Sequence, residues 1–181
     1  MKLVFVSDIH GSAYYARMLP EIDAREKPER IVLLGDLLYH GPRNDLPRDY
    51  NPKEVTAILN GMKQRFLCVR GNCDAEVDQM VLEFPIEADS LALFLGGRMA
   101  FVTHGPLFNT ETAPKLCPGD LLIHGHTHVQ AMDPFGQDNL YLNPGSVSLP
   151  KEGNENSYMT YEDGLFTIKA MDGRPIRSTR I

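Results

Sequence analysis

Histidines occupy alternate positions at the end of an apolar run in the second half of the chain, where Leu121 to His128 reads LLIHGHTH. If Leu121 to Ile123 is a buried strand, residues two apart just beyond it project to the same side, so His126 and His128 can reach one small volume. Gly125 leaves the backbone free to turn sharply at the strand end, where open α/β sheets hold their ligands. A hydrated loop would explain one such histidine, but three of the chain's six in this pattern favour a metal site.

Polar side chains also follow the other strands that the apolar pattern predicts. They are Asp8 and His10 after Lys2 to Val6, Asp36 after Arg30 to Leu34, Asn72 after Phe66 to Val69, and His104 after Met99 to Thr103. Each alone is also typical of a turn or a helix cap, since Asp, Asn and Gly favour turns. Together with His126 and His128 they supply seven oxygen and nitrogen donors. Two divalent ions fit that donor set better than one structural zinc, which takes about four ligands and usually includes thiolates.

The elements that position these residues change in type along the chain. Helical patterns over Ala13 to Glu26 and Lys53 to Lys63 alternate with the first three strands. From Pro85 onward hairpins are predicted, with strands at Leu91 to Leu95, Met99 to Thr103, Val129 to Met132, Asn139 to Leu142, Ser157 to Tyr161 and Leu165 to Ala170. Turns are predicted at Pro134 to Asn139 and at Asn143 to Ser146, and Leu107 to Gly119 is irregular or partly helical. With 181 residues, 43% of them hydrophobic, we expect one domain over 1–181.

Charge and cysteine content restrict the partners and the compartment. A net charge of −6 and a pI near 5.5 argue against extended nucleic acid and against an anionic membrane surface. Three cysteines are an odd number without the regular spacing of a disulfide framework, so we expect free thiols and a cytoplasmic protein. The apolar run after Lys2 is too short for a signal peptide, and no later run approaches the roughly 20 residues of a membrane span. Exposed hairpin edges are compatible with a homo-oligomer of undetermined order.

A polar, proline-rich stretch from Tyr39 to Pro52 predicts a loop long enough to border a pocket. His40 and Arg43 are candidates there for contact with a substrate, although an exposed loop explains both residues equally well.

The motifs Asp8-x-His10, Gly35-Asp36, Gly71-Asn72, His104-Gly105 and Gly125-His126-x-His128 resemble, in order, those of the calcineurin-like metallophosphoesterases. The short chain, with HGPRN at 40–44 and NPGS at 143–146, further resembles the small bacterial and archaeal phosphodiesterases of the YfcE type. The resemblance implies an α/β fold, a four-layer α-β-β-α sandwich in which two mixed sheets pack face to face.

The resemblance also implies an activity, that of a metal-dependent phosphodiesterase in which a dinuclear centre activates a hydroxide to attack phosphorus. It implies one metal held by Asp8, His10 and His128, a second held by Asn72, His104 and His126, and Asp36 as the bridge. Carboxylate and imidazole donors accept several divalent ions, of which we expect Mn²⁺. The expected substrate is a small phosphodiester, and the catalytic candidates are Asp36, Asn72, His104 and the position of Cys73.

Cys73 is where the chain departs from the family, most of which has histidine after the Gly-Asn pair. That histidine is thought to stabilise the transition state and to protonate the leaving oxygen. A thiol is a poor proton donor and carries no positive charge near neutral pH, so we expect weaker turnover of poor leaving groups, monoesters especially. A small filler explains Cys73 better than a nucleophile does, because no neighbouring feature of the sequence would activate a thiolate.

Two other functions remain open from the sequence. The first is a binding scaffold with little catalysis, as in the retromer subunit of this fold, although a degraded scaffold would have little reason to keep all seven donors. The second is a nuclease of the same superfamily, which needs a nucleic-acid groove or a capping domain that a short chain of charge −6 does not indicate.

Overall fold

The computed structural model describes all residues of the chain, 1–181. The first part alternates strands and helices: β1 (Lys2–Val6), α1 (Ala13–Ala16), α2 (Leu19–Glu26), β2 (Arg30–Leu33), α3 (Pro52–Gly61), β3 (Phe66–Cys68) and α4 (Glu76–Val81). A single 3₁₀ turn, Lys63–Arg65, precedes β3. The second part consists of strands: β4 (Ser90–Leu95), β5 (Arg98–Thr103), β6 (Leu121–Ile123), β7 (Gln130–Phe135), β8 (Asn139–Pro144), β9 (Ser157–Glu162), β10 (Leu165–Ala170) and β11 (Pro175–Arg180).

These strands form two mixed sheets. The six-stranded sheet has the order β11-β10-β9-β1-β2-β3, and its strands β1, β2 and β3 are parallel. The five-stranded sheet has the order β4-β5-β6-β8-β7, and its strands β5, β6 and β8 are parallel. Parallel neighbours end at the same edge of their sheet, so polar side chains that follow them are brought together.

Strand β1 shows how the layers form. Its residues alternate between two cores because successive side chains of a strand point to opposite faces. Leu3 and Phe5 belong to a buried cluster shared with strands of both sheets, whereas Val4 and Val6 belong to a cluster shared with α1, α2 and α3. This explains why the whole run is apolar: one face meets the other sheet and the opposite face meets the helices.

The fold class with two mixed sheets is therefore confirmed, and the helices are few. All four helices precede β4 in the chain. The segment between β5 and β6 contains no helix, and its Phe108 ring packs against Phe101 of β5 at 5.4 Å between ring centroids. An irregular segment, and not a helix, thus packs against this residue of the second sheet.

Three expectations about the elements need correction. The helix predicted over Ala13 to Glu26 is broken into α1 and α2, because Pro20 in the first turn of α2 has no N–H with which to continue a helix from α1. The turn predicted from Pro134 is shorter, since β7 continues through Phe135 as an edge strand, where proline is tolerated. Likewise β8 extends to Pro144, into the turn predicted at Asn143 to Ser146.

Two elements were not predicted. Helix α4 is short and has no buried residue, and β11 is an edge strand whose residues are mostly exposed and polar. Neither has the apolar periodicity from which elements were predicted. No helix in the structure combines the length and apolar character needed to cross a bilayer.

Candidate metal centre

The predicted donors meet where parallel strands end. Asp8 and His10 follow β1, Asp36 follows β2 and Asn72 follows β3, all from the six-stranded sheet; His104 follows β5, and His126 and His128 follow β6, from the other sheet. The structure brings all seven residues to one site. Each sheet thus contributes donors to the same place.

The backbone at this site is strained. Ten non-glycine residues have a positive φ, and five of these are predicted donors: Asp8 (58°), His10 (50°), Asp36 (57°), His126 (65°) and His128 (61°). The left-handed region is sparsely populated by residues that carry a side chain, and such residues concentrate at functional sites. Half of the strained positions therefore aim donor side chains at one volume.

Two glycines allow the strand ends to approach one another. A Cβ on Gly71 would lie 2.1 Å from Asp36 Oδ1, and a Cβ on Gly125 would lie 1.8 Å from Ser7 Oγ. We expected Gly125 to permit a sharp turn, but Gly125 is not among the positive-φ glycines. Its function is to leave room for Ser7 and Asp8, not to supply an unusual backbone conformation.

The first donor cluster consists of Asp8, His10 and His128, all buried. Asp8 Oδ1 lies 3.6 Å from His10 Nε2 and 3.3 Å from His128 Nε2. The other oxygen of Asp8 accepts hydrogen bonds from Ser7 Oγ at 2.5 Å and from the His126 N–H at 3.0 Å. These two bonds orient the carboxylate and leave Oδ1 facing the imidazoles.

The second cluster consists of Asp36, His104 and His126. Asn72 joins it, since its Oδ1 lies 3.1 Å from His104 Nε2. Asp36 Oδ2 lies 3.3 Å from His104 Nε2 and 3.6 Å from His10 Nε2, which belongs to the first cluster. Asp36 is therefore placed between the two clusters, and its other oxygen accepts a hydrogen bond from the Cys73 N–H at 2.8 Å.

Backbone carbonyls fix the orientation of three histidines. Nδ1 of His10 lies 2.8 Å from the Tyr39 oxygen, and Nδ1 of His104 lies 2.6 Å from the Leu34 oxygen. Nδ1 of His128 lies 2.6 Å from the oxygen of Leu149. A carbonyl can only accept, so each Nδ1 carries the proton and a neutral ring presents a bare Nε2 lone pair. This is the arrangement by which proteins orient histidines toward a metal.

The donors fit a cation. The Nε2 atoms of His10 and His128 lie 3.2 Å apart with both Nδ1 atoms protonated, so two neutral rings would point lone pairs at each other. Asp8 Oδ1 is buried and has no hydrogen-bond partner. Buried polar atoms without partners are costly, and a positive ion among these atoms would satisfy the oxygen and both nitrogens.

Ionisation of the free site follows from the same contacts. Burial opposes a charge on His104, but its hydrogen bond with Asp36 and the charges of Asp8 and Asp36 outweigh burial and raise its pKa to about 9. Burial likewise opposes ionisation of Asp8, whereas the imidazoles of His10 and His128 beside it hold the pKa of its carboxyl well below the ordinary value. Without a metal, protons on imidazole balance the carboxylates, so metal binding must release protons.

The remaining histidines do not join the clusters. His124 is stacked on Tyr141 at 4.4 Å between ring centroids, and burial lowers its pKa to about 4. His40 packs edge-to-face against Tyr39 and Tyr50 and does not line the cleft above the donors.

That cleft has a volume of about 320 Å³ and is lined mainly by polar and charged residues. Asp36, Asn72, His126 and His128 contribute to its lining, and Arg43 lines it as expected. Cys73 also lines the cleft, and burial together with the charge of Asp36 raises the pKa of its thiol to about 12. The thiol is therefore neutral near physiological pH, which disfavours a nucleophilic role.

Asp74 has a role that the sequence analysis missed. Its two oxygens accept hydrogen bonds from three backbone N–H groups, those of Asp36 at 2.9 Å, Leu37 at 2.8 Å and Gly71 at 2.7 Å. This carboxylate ties the end of β2 to the end of β3 and so fixes Asp36. Its signal in the sequence is its place in the Gly-Asn-Cys-Asp motif, two residues after the predicted donor Asn72.

Three further groups support the site from β8 onward. Ser146 Oγ and Ser148 Oγ each donate to the Asp8 carbonyl at 2.8 Å. Lys151 lines the cleft and was not among the predicted residues. Its only signal in the sequence is that it follows the NPGS segment.

Comparisons with known proteins found a family and relatives that match this chain. Residues 1–163 match the calcineurin-like phosphoesterase superfamily domain. The chain is 43% identical over 176 residues to phosphodiesterase YfcE of Escherichia coli K12, covering 97% of this chain and 95% of YfcE. It is 27% identical to the probable metallophosphoesterase YsnB of Bacillus subtilis, covering 95% of this chain and 91% of that one.

Solved structures also superpose on this chain. The structure of Escherichia coli YfcE superposes with a TM-score of 0.95 over all of both chains. Vacuolar protein sorting 29 from Cryptosporidium parvum gives a TM-score of 0.63 at 16% identity, covering 99% of this chain and 97% of that one, and so shares the fold alone. The matched domain covers most of the chain and includes every predicted donor, and the chain therefore belongs to the calcineurin-like phosphoesterase superfamily.

Proposed function

We infer that this chain is a metal-dependent phosphodiesterase with a dinuclear centre. The observation that carries this inference is the position of Asp36, whose Oδ2 faces a histidine of each donor cluster at the floor of an open polar cleft. The name of the Escherichia coli relative, phosphodiesterase, supports the same activity. The side chains of the seven proposed donors lie together, which supports an enzyme over a scaffold that would not need them.

We propose that Asp8, His10 and His128 hold one ion, that Asn72, His104 and His126 hold the other, and that Asp36 bridges them. When bound, two such ions supply Lewis acidity, which makes water a nucleophile at neutral pH and offsets charge on the phosphoryl oxygens. The mixed oxygen and imidazole donors suit Mn²⁺ among other divalent ions, and Mn²⁺ is our proposal.

The chain's own residues contribute orientation. The three carbonyl contacts to Nδ1 keep the histidines in one tautomer, and Asp74 keeps Asp36 in register with the end of β3. Preorganised groups of this kind need no rearrangement when charge develops in the transition state.

The chain does not place a proton donor at the family's acid position. The Cys73 thiol, whose pKa is raised to about 12, occupies that place, and the imidazoles that line the cleft, His126 and His128, are proposed ligands. A leaving group must therefore depart with little protonation by the protein. This favours small diesters with good leaving groups over monoesters.

The cytoplasm is the proposed compartment. All three cysteines are free, and Cys117 is exposed, which suits a reducing environment.

The test is to strip the protein with a chelator, reload it with Mn²⁺, Fe²⁺, Zn²⁺ or Ni²⁺, and measure turnover on matched aryl phosphodiesters and phosphomonoesters. We expect two ions per chain by elemental analysis, activity on diesters with Mn²⁺, and none after chelation. Activity that survives with one ion or none per chain would overturn the dinuclear proposal. Failure to hydrolyse any diester in a fully loaded protein would overturn the enzymatic one.

A further inference from the structure

Two cationic side chains line the cleft above the donor clusters, Arg43 and Lys151. Both are exposed, and neither forms an ion pair with any carboxylate of the chain. The single carboxylate that lines the cleft is Asp36, which is buried and already faces two imidazoles. The mouth of the cleft therefore carries positive charge that the protein does not balance.

The backbone at each cation is held in place. Lys151 N–H donates to the His128 carbonyl at 3.1 Å, and the Lys151 carbonyl accepts from Asn154 N–H at 3.0 Å and from Asn154 Nδ2 at 2.7 Å. Next to Arg43, Asn44 N–H donates to the Gly41 carbonyl at 3.3 Å, and Asn44 Nδ2 donates to the His40 carbonyl at 2.8 Å. The Lys151 backbone is thus hydrogen-bonded to the proposed metal ligand His128, and Arg43 lies within a hydrogen-bonded turn.

The rest of the lining restricts the ligand. It is mainly amide, hydroxyl and backbone, with no Phe, Tyr or Trp on which a nucleobase could stack. In the proposed function, cations at the donor clusters would meet the charge of the scissile phosphodiester, which leaves the two rim cations for a different group of the same substrate. Guanidinium and ammonium groups recognise carboxylates and phosphates through charge-assisted hydrogen bonds.

We propose that Arg43 and Lys151 form an anion subsite, and that the substrate is a phosphodiester whose ester arm carries a second anionic group, a carboxylate or a phosphate. This inference rests on the phosphodiesterase function proposed above and specifies its substrate class. The subsite binds the arm and does not take part in the chemistry at phosphorus.

The test uses substrates that differ only in the arm. All are 4-nitrophenyl phosphodiesters, and the second arm is 2-carboxyethyl, 2-phosphonoethyl or the neutral isostere 2-carbamoylethyl. In the Mn²⁺-loaded wild type we expect kcat/KM for an anionic arm to exceed that for the amide by about tenfold, mostly through KM, since hydrogen bonds to charged groups are among the stronger ones. Comparison of the carboxylate and phosphonate arms identifies which anion the subsite prefers.

Lys151→Ala and Arg43→Ala should each lower kcat/KM several-fold more for the anionic arms than for the amide arm, and so remove most of this preference, since only an anionic arm loses a charge-assisted hydrogen bond. Lys115→Ala is the matched control, because Lys115 is an exposed lysine that forms no ion pair and does not line the cleft. It makes the same change in net charge and should leave the preference unaltered.

Binding provides a readout that does not require turnover. Calorimetry with 3-phosphonopropanoate and with 3-phosphonopropanamide, in which a neutral amide replaces the carboxylate, should show about tenfold tighter binding of the carboxylate to the wild type and a much smaller difference in Lys151→Ala. Equal kcat/KM for acid and amide arms in the wild type would overturn the subsite and leave the phosphodiesterase intact. If no diester is hydrolysed, the function fails, and the binding difference decides the subsite by itself.

Discussion

Strand β1 has a buried carboxylate near each of its ends, Glu26 and Asp8, and the charges of these two carboxylates are balanced differently. Near the amino end, Glu26 lies 2.8 Å from Lys169 Nζ and 3.1 Å from Lys2 Nζ, and it accepts a hydrogen bond from Tyr158 Oη at 2.6 Å. Beyond the carboxyl end, Asp8 Oδ1 lies 3.6 Å from His10 Nε2 and 3.3 Å from His128 Nε2, and it has no hydrogen-bond partner.

This difference distinguishes a structural group of charges, around Glu26, from a functional one, around Asp8. Burial opposes ionisation of Glu26, yet bonds with Lys169, Tyr158 and Lys2 lower its pKa to about 2, so this group is complete within the chain. Donors beyond β1 are strained in φ, and one buried oxygen among them has no hydrogen-bond partner, which a bound cation would satisfy. A buried charge without an internal partner indicates a site, whereas a paired one usually indicates a structural contact.

The largest loss of metal and of activity is expected from Asp36→Ala, at the donor clusters beyond β1. Because this carboxylate faces both clusters, its loss should remove both ions, whereas Asn72→Ala should release only one. Replacing a residue that only orients a metal ligand typically lowers activity by roughly 10- to 100-fold, and we expect a larger loss for Asp36→Ala. Elemental analysis of both variants after identical loading checks this. Equal metal retention would show that Asp36 does not bridge.

A smaller effect is expected from Asp74→Asn. An amide has one accepting oxygen, whereas the Asp74 carboxylate uses both oxygens for the N–H groups of Asp36, Leu37 and Gly71. Asp36 should shift, and activity should fall by about 10- to 100-fold with the fold retained by circular dichroism.

Asp78→Asn is the matched control, since Asp78 accepts from the Ala75 N–H at 2.9 Å but lies outside the site. Activity in Asp78→Asn should stay near the wild-type level. A similar loss in both variants would mean that Asp74 has no particular role in positioning Asp36.

A still smaller effect, on specificity, is expected from Cys73→His. Cys73 lines the cleft and presents a neutral thiol, so an imidazole there could donate a proton to a poor leaving group. General acids contribute roughly 10² to 10⁴ in rate, and with imperfect geometry we expect the monoester-to-diester ratio of kcat/KM to rise by about tenfold.

The measurement uses matched aryl monoesters and diesters at fixed metal and pH, with Cys73→Ser as the control. An unchanged ratio in a variant that binds its ions normally would show that the missing acid does not set specificity. A severe loss in Cys73→Ser would instead restore a direct role for the thiol.

These residues also show what the sequence could predict. The donors were predictable because each follows an apolar strand, and a strand end is local information: type, spacing and an adjacent glycine are visible in the printed chain. Lys151 and the serines at 146 and 148 were not, since their relation to Asp8 and His128 depends on how β8 pairs beside β6.

The same limit applies to the fold. Strands β1, β5 and β6 were predicted within a residue or two of their bounds because they are buried and apolar. The edge strand β11 and the exposed helix α4 were missed because exposed elements have little apolar periodicity. The Glu26 group was missed entirely, because its partners Lys2 and Lys169 lie far apart in the sequence.

The smallest effect on turnover is expected from Glu26→Gln, which tests whether the Glu26 end of β1 affects activity at the Asp8 end. The Glu26 pKa lies at about 2, below its ordinary value of 4.5, so its ionised form stabilises the folded state above pH 4.5, and this contribution is lost as the pH falls through about 2. Glu26→Gln should therefore be less stable than wild type by about 2 to 3 kcal/mol at neutral pH, with the two denaturation curves converging toward pH 2. Urea unfolding of chelated protein from pH 7 down to pH 2 measures this, and Glu21→Gln, an exposed position on the same helix, should show no such convergence. Activity of the metal-loaded variant should remain within about twofold of wild type, since an amide far from the clusters alters no donor. A loss of metal or of activity comparable to that of Asp74→Asn would mean that the two ends of β1 are coupled and that the Glu26 group is not purely structural.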